Sequence, residues 1–117
     1  MTFVNNNTSR NEDRYGNIIQ SGWLDKRSKG KSWQAKYAVL YSDYALRFYI
    51  DINRENIVGK IKLRHCDIIQ EIPLERSRKY NDKTPYFFGI ISKSKHWQFG
   101  CNSKDELNDW INNLNTA

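Results

Sequence analysis

Residues 21–40 read SGWLDKRSKGKSWQAKYAVL, and the fold turns on how this stretch divides. Its second half, extended to Tyr41 as QAKYAVLY, alternates: Lys36, Ala38 and Leu40 share one face of an extended chain, and Tyr37, Val39 and Tyr41 the other. The preceding segment, IIQSGWLDKR, mixes apolar and polar residues in the manner of a strand, and a Ser/Gly/Lys loop separates the two. Two strands across a short polar loop make a hairpin. That hairpin gathers Lys26, Arg27, Lys29, Lys31 and Lys36, with Asp25 as its only carboxylate. Five cations against one anion leave +4 within residues 22–36 of a chain whose formal charge is +6. The charge is concentrated, not spread.

Working outward, SDY is a tight turn into a third strand, ALRFYI, and DINREN is a polar connection to a fourth, IVGKIKL. CDIIQEI reads as a fifth strand. Beyond the Pro-bounded basic loop PLERSRKYNDKTP, the segments YFFGIIS and HWQFGC form a last hairpin across KSK. The end changes character: in SKDELNDWINNL, Ser103 and Glu106 stand in capping-box spacing, where hydroxyl and carboxylate each satisfy an orphan backbone amide. Leu107, Trp110, Ile111 and Leu114 then recur at helical spacing. The expected fold is mainly β with one α-helix: seven antiparallel strands closed by a C-terminal amphipathic helix whose Trp110 anchors it to the core. Residues 1–18 read as a flexible polar leader and 19–116 as the domain.

Length and composition narrow the function. A chain of 117 residues accommodates one modest core. No run approaches the roughly 18 apolar residues of a membrane span, the start lacks a secretory pattern, Thr2 is not a myristoylation site and the C-terminal NTA carries no prenylation box. The expectation is a soluble intracellular protein whose two cysteines, Cys66 and Cys101, are packed thiols. A pI near 9.4 selects an anionic partner: lipid headgroups, nucleic acid or an acidic protein face. The RNP-type strand is absent and the terminal helix is acidic, which argues against nucleic acid. His65, Cys66, His96 and Cys101 lack metal-ligand spacing, and no nucleophile elbow or phosphate-cradling glycine loop occurs, so neither metal, cofactor nor catalysis is expected.

At residues 20–115 the sequence resembles a pleckstrin-homology (PH) domain: GWLDK looks like that family's first strand, WQAKYAVL like its second, and ELNDWINNL like its closing helix with a signature Trp. The resemblance implies a PH-like β-barrel or sandwich of four plus three strands capped by the helix, with the first, third and sixth loops around the open end. It further implies that Lys26 and Lys36 face each other and hold headgroup phosphates, with Lys29, Lys31 and Arg27 supporting them. Arg47, Arg54, Lys93 and Lys95 would be auxiliary at the rim. A second family site, on the other side of the first loop, would draw on Arg76, Arg78 and Lys79. Gln34 and Phe48 depart from the family's basic residue and phosphate-binding tyrosine, which favours a monophosphate phosphoinositide or phosphatidic acid over a crowded trisphosphate. The expected function is recruitment to the cytosolic face of a membrane through anionic phospholipids, the alternative a protein-interaction module with weak lipid affinity. Four net charges at about 1 kcal/mol each reach only about millimolar affinity, so a pocket or avidity must add to them.

Overall fold

A computed structural model describes residues 14–28, 31–71 and 86–116. Seven strands, β1 (Ile18–Ser28), β2 (Gln34–Tyr41), β3 (Ala45–Tyr49), β4 (Ile57–Lys62), β5 (Asp67–Glu71), β6 (Tyr86–Ile91) and β7 (His96–Cys101), precede one helix, α1 (Lys104–Thr116). Every pairing is antiparallel, and the strands form one sheet in the order β4-β3-β2-β1-β7-β6-β5. The expected four-plus-three division is present: the two groups are joined through β1, which pairs with β2 from Ile18 to Lys26 and with β7 from Asp25 to Ser28. Asp25 and Lys26 therefore have strand neighbours on both sides.

Alternation decides which side chains face inward. Leu24, Ala38, Leu40, Leu46, Phe48, Ile61, Phe88, Ile90 and Phe99 form the main core. Directly opposed residues share a face in an antiparallel pair, so the pairings Leu46↔Ile61 and Phe88↔Phe99 continue that apolar surface across the sheet. Phe99 stacks on both Phe48 and Phe88. The helix starts where the capping signal places it: Ser103 Oγ accepts from the Glu106 amide at 3.2 Å, and Asp105 and Glu106 complement the positive end of the helix dipole. Leu107, Trp110 and Leu114 are buried in the core, Trp110 at 1% exposure. Asn113 donates to Gln20 and ties α1 to the start of β1.

The outer face of β2 and β3 is not the solvated surface that alternation alone suggests. Val39, Tyr41 and Tyr49 form a second buried cluster, against which Tyr15 and Ile18 pack. Tyr15 leans on Tyr41 with centroids 5.1 Å apart, the Asp43 amide donates to the Tyr15 carbonyl, and the Asn17 carbonyl accepts from Ser42. Tyr15 and Ile18, which the sequence reading places in the leader, pack against this face. Among the described residues, no helix is long and apolar enough to cross a membrane.

Trp110→Ala removes the largest fully buried side chain and leaves a cavity at the helix–sheet contact. The expected cost is about 3 to 5 kcal/mol, measured as a lower urea midpoint or melting temperature; an unchanged midpoint in folded protein would refute the anchoring role.

Candidate headgroup-binding site

The register brings three connections to one end of the molecule. Lys26 opposite Gln34 puts the β1–β2 connection there, Tyr37 opposite Tyr49 brings the β3–β4 connection beside it, and Ser28 opposite Trp97 brings the β6–β7 turn. At this end the inward-facing row of β1 and β2 changes from apolar to cationic. Leu24 lies opposite Lys36, and Lys26 lies two residues further along on the same face. Lys26 also lies opposite Phe99, and its ammonium stands 5.2 Å from the centroid of the buried Phe48 ring.

Lys26 is half-buried at this boundary, and its pKa is lowered below the ordinary 10.5 by burial first and then by the positive charges of Lys36 and Lys95. An ammonium that is partly desolvated and repelled by two neighbours is a site that an anion would relieve. The β6–β7 turn, closed by the Ser92 amide donating to the Lys95 carbonyl, holds Lys93 and Lys95 in place. A neighbouring cleft of about 560 Å³ is lined by Ser28, Lys31, Lys93, Lys95 and Trp97 among others. Lys36 and Lys95 thus act electrostatically on Lys26, while Lys31, Lys93 and Lys95 line the adjoining cleft.

Other residues expected here lie elsewhere. Arg27 is on the opposite face of β1, where its Nε donates to Gln98 at 2.6 Å and its guanidinium lies 5.1 Å from the Trp33 ring; Trp33 in turn stacks on Phe87. Arg27 braces the hairpin from outside. Arg47 is 5% exposed on the outer face of β3. It forms a two-pronged pair with Asp43 at 2.8 and 3.0 Å and lies 3.5 Å from the centroid of the Tyr15 ring. Its expected place at the loop rim is thereby corrected: the docked N-terminal segment makes it a structural cation. Arg54 lies in the β3–β4 connection with a φ of 58°, its amide donating to Asp51. Lys29, Arg76, Arg78 and Lys79 fall outside the described residues. At the two departures, Gln34 is exposed opposite Lys26 and Phe48 is buried in the core, while Tyr49 turns outward, its phenol pKa raised by burial and by its contact with Tyr41.

One feature beside the cations was not legible as functional in the sequence. Ile50 and Ile52 are 57% and 61% exposed in the β3–β4 connection, and Ile57 and Val58 at the start of β4 are also exposed. The connection is ordered locally: Asp51 accepts from the Asn53 amide through its carboxylate and from the Arg54 amide through its carbonyl. A fixed turn thus presents isoleucines to solvent at the same end as Lys26 and Lys36.

Comparison with known proteins gives a consistent picture. The PH domain family model matches residues 18–117. The chain is 27% identical over 103 residues to pleckstrin homology domain-containing family A member 7 of Danio rerio, covering 86% of this chain and 8% of that protein. It is 25% identical over 102 residues to a PH and Rap-GAP domain-containing protein of Dictyostelium discoideum, covering 87% and 8%. The chain therefore spans less than a tenth of these relatives. Among solved structures, the C-terminal PH domain of pleckstrin in complex with D-myo-Ins(1,2,3,5,6)P5 superposes with a TM-score of 0.69 at 25% identity, covering 87% of this chain and 96% of that one. The solution structure of the human pleckstrin C-terminal PH domain gives 0.71 at 24% identity, over 91% and 83%.

The lowered Lys26 pKa has a definite sign. Its charged form is disfavoured in the fold, so the destabilisation is fully present below the folded pKa and is relieved as pH rises through it toward 10.5. Lys26→Met, which keeps the apolar stem, should raise the neutral-pH melting temperature, a gain that shrinks toward pH 10.5. A lower melting temperature at neutral pH would show instead that the ammonium stabilises the fold.

Proposed function

The chain belongs to the PH domain family, a family of non-catalytic binding modules, and on that premise we propose that it recruits its protein reversibly to the cytosolic face of a membrane by binding anionic phospholipid headgroups. The observation that carries this reading is the half-buried Lys26 ammonium at the end of the inner face, on the same face as Lys36 and beside the Phe48 ring, whose charge is disfavoured by burial first and then by Lys36 and Lys95, and which a phosphate would relieve. Lys26 and Lys36 are the primary phosphate ligands, Lys95 completes the set, and Lys31 and Lys93 attract the headgroup from the adjoining cleft. Three ammonium groups offer many donors but no planar fork, so they favour phosphate charge over a particular stereochemistry. With Gln34 and Phe48 where more phosphate contacts would lie, the preferred headgroup is a phosphatidylinositol monophosphate or phosphatidic acid. Likeness to a pleckstrin PH domain in complex with an inositol phosphate supports the ligand class.

The exposed isoleucines favour a membrane over a soluble acidic partner. Ile50 and Ile52 stand beside the cations, where burial in the acyl boundary would add about 1.5 to 3 kcal/mol for each fully buried side chain to an electrostatic attraction of about 1 kcal/mol per cation. Headgroup charge and apolar insertion then act together.

The test is co-sedimentation with phosphatidylcholine vesicles carrying phosphatidylserine, phosphatidic acid or single phosphoinositides, at low and physiological salt. Headgroup preference surviving physiological salt is expected; uniform binding erased by salt would leave diffuse charge alone and move the reading to a protein partner. Lys26→Glu with Lys36→Glu should abolish vesicle binding without lowering the melting temperature. Ile50→Asp with Ile52→Asp should weaken vesicle binding about tenfold or more while leaving soluble inositol phosphate binding intact; equal loss of both would rule out insertion.

A further inference from the structure

A second basic cleft, of about 930 Å³, lies where the chain turns from β4 toward β5. Lys60 and Lys62 project from alternate positions of β4 onto its outer face, opposite Arg47 and Ala45 respectively. The short Ala45 side chain leaves room below the lysine stems, Arg64 lies in the following turn, and the β6–β7 turn contributes Ser92 and Lys93. The turn is fixed by the Cys66 amide donating to the Leu63 carbonyl, and by the Leu63 amide donating to Tyr44.

Among the described residues that line this cleft, the cations outnumber the carboxylates. Its carboxylate, Asp43, is consumed by the two-pronged pair with Arg47. Lys60, Lys62, Arg64 and Lys93 are exposed, and among the described residues none of the four has an ion pair or side-chain hydrogen bond. Arg47 at the cleft's floor keeps a buried Nε–H without an acceptor. Donors are in surplus on every side. We propose that this cleft is a separate binding site for a phosphate-bearing ligand, with Lys60, Lys62, Arg64 and Lys93 as its phosphate contacts. Arg64 supplies the planar fork that the Lys26–Lys36–Lys95 group lacks. Ser92 and Lys93 also line the cleft beside that group, so the two sites flank the β6–β7 turn.

The ligand chemistry has two sources, a lipid headgroup or a soluble phosphorylated molecule, and separate arms distinguish them. In the first, inositol hexakisphosphate is titrated into the full chain and followed by amide-resolved NMR. Residues 60–66 and Lys93 should shift, should still shift in the Lys26→Glu/Lys36→Glu variant, and should lose the response in Lys60→Glu/Lys62→Glu. No shift at these residues, or its disappearance in the Lys26→Glu/Lys36→Glu variant, overturns the proposal without touching the reading of Lys26 and Lys36. In the second arm, binding is measured to phosphatidylcholine vesicles containing a phosphatidylinositol monophosphate. A lipid source predicts that Lys60→Glu/Lys62→Glu weakens binding by about thirtyfold or more, and that Arg14→Glu/Lys104→Glu, an equal charge change elsewhere, does not. Localised NMR shifts with unchanged vesicle affinity assign the site to a soluble ligand. An equal loss in both charge variants without localised shifts overturns it as diffuse attraction.

Discussion

Strand β1 is the member on which the rest of the structure depends. Its last residues pair with β2 on one side and β7 on the other, so the four-stranded and three-stranded groups meet through its backbone. Lys26 occupies that shared segment, opposite Gln34 in one direction and Phe99 in the other. A lysine on a free loop would lose more conformational entropy on gripping a ligand than one whose backbone is fixed from both sides. The same placement puts its stem against the core and its ammonium beyond it, which is why its charge is partly desolvated. Positional rigidity and electrostatic tension thus have one origin.

Much of the fold was legible because each segment obeys a short-range rule. The alternation in QAKYAVLY gives β2 and its faces, and Ser103 with the Leu107–Trp110–Leu114 stripe gives the helix, its start and its buried side. The placement of Lys26 and Lys36 on one face, diagonal to each other across the hairpin with Lys26 opposite Gln34 and Lys36 opposite Leu24, follows from the same alternation once the register is set. What alternation does not reveal is what covers the second face of a sheet. Arg47 is expected at the rim only through the family resemblance, whereas Tyr15 lies against its guanidinium and Asp43 pairs with it. Arg27 illustrates the opposite case: its parity alone sets it on the face away from Lys26, and proximity in sequence is what grouped them.

The candidate sites divide along the same line. Lys26 and Lys36 are carried by neighbouring strands, so local pattern locates them. Lys95 joins them only through the pairing of β7 with β1, and Lys60, Lys62 and Arg64 meet Lys93 only because β5 pairs with β6 after the chain leaves β4. In sequence these cations are dispersed among ordinary strand residues, indistinguishable from a solvated face. Ile50 and Ile52 escape notice for another reason: Ile50 reads as the end of the third strand, ALRFYI, and Ile52 sits within the polar run DINREN, which has no apolar period to detect.

Sorting the cations by what surrounds them explains how one domain can hold many positive charges for different ends. Arg47 is enclosed with a carboxylate and an aromatic ring, so its charge is spent on holding the N-terminal segment to β3. Arg27 is spent on Gln98 and Trp33. Lys26 instead has its charge disfavoured at the edge of the core, by burial first and then by the positive charges of Lys36 and Lys95, beside the apolar packing of Leu24, Phe48 and Phe99. A fold selected for stability alone would place an apolar residue at position 26, as it does two residues earlier at Leu24. Tolerating the repulsion makes sense where an anion regularly removes it, and the gain on binding is then larger than the same lysines would give fully exposed, because the repulsion relieved adds to the attraction gained.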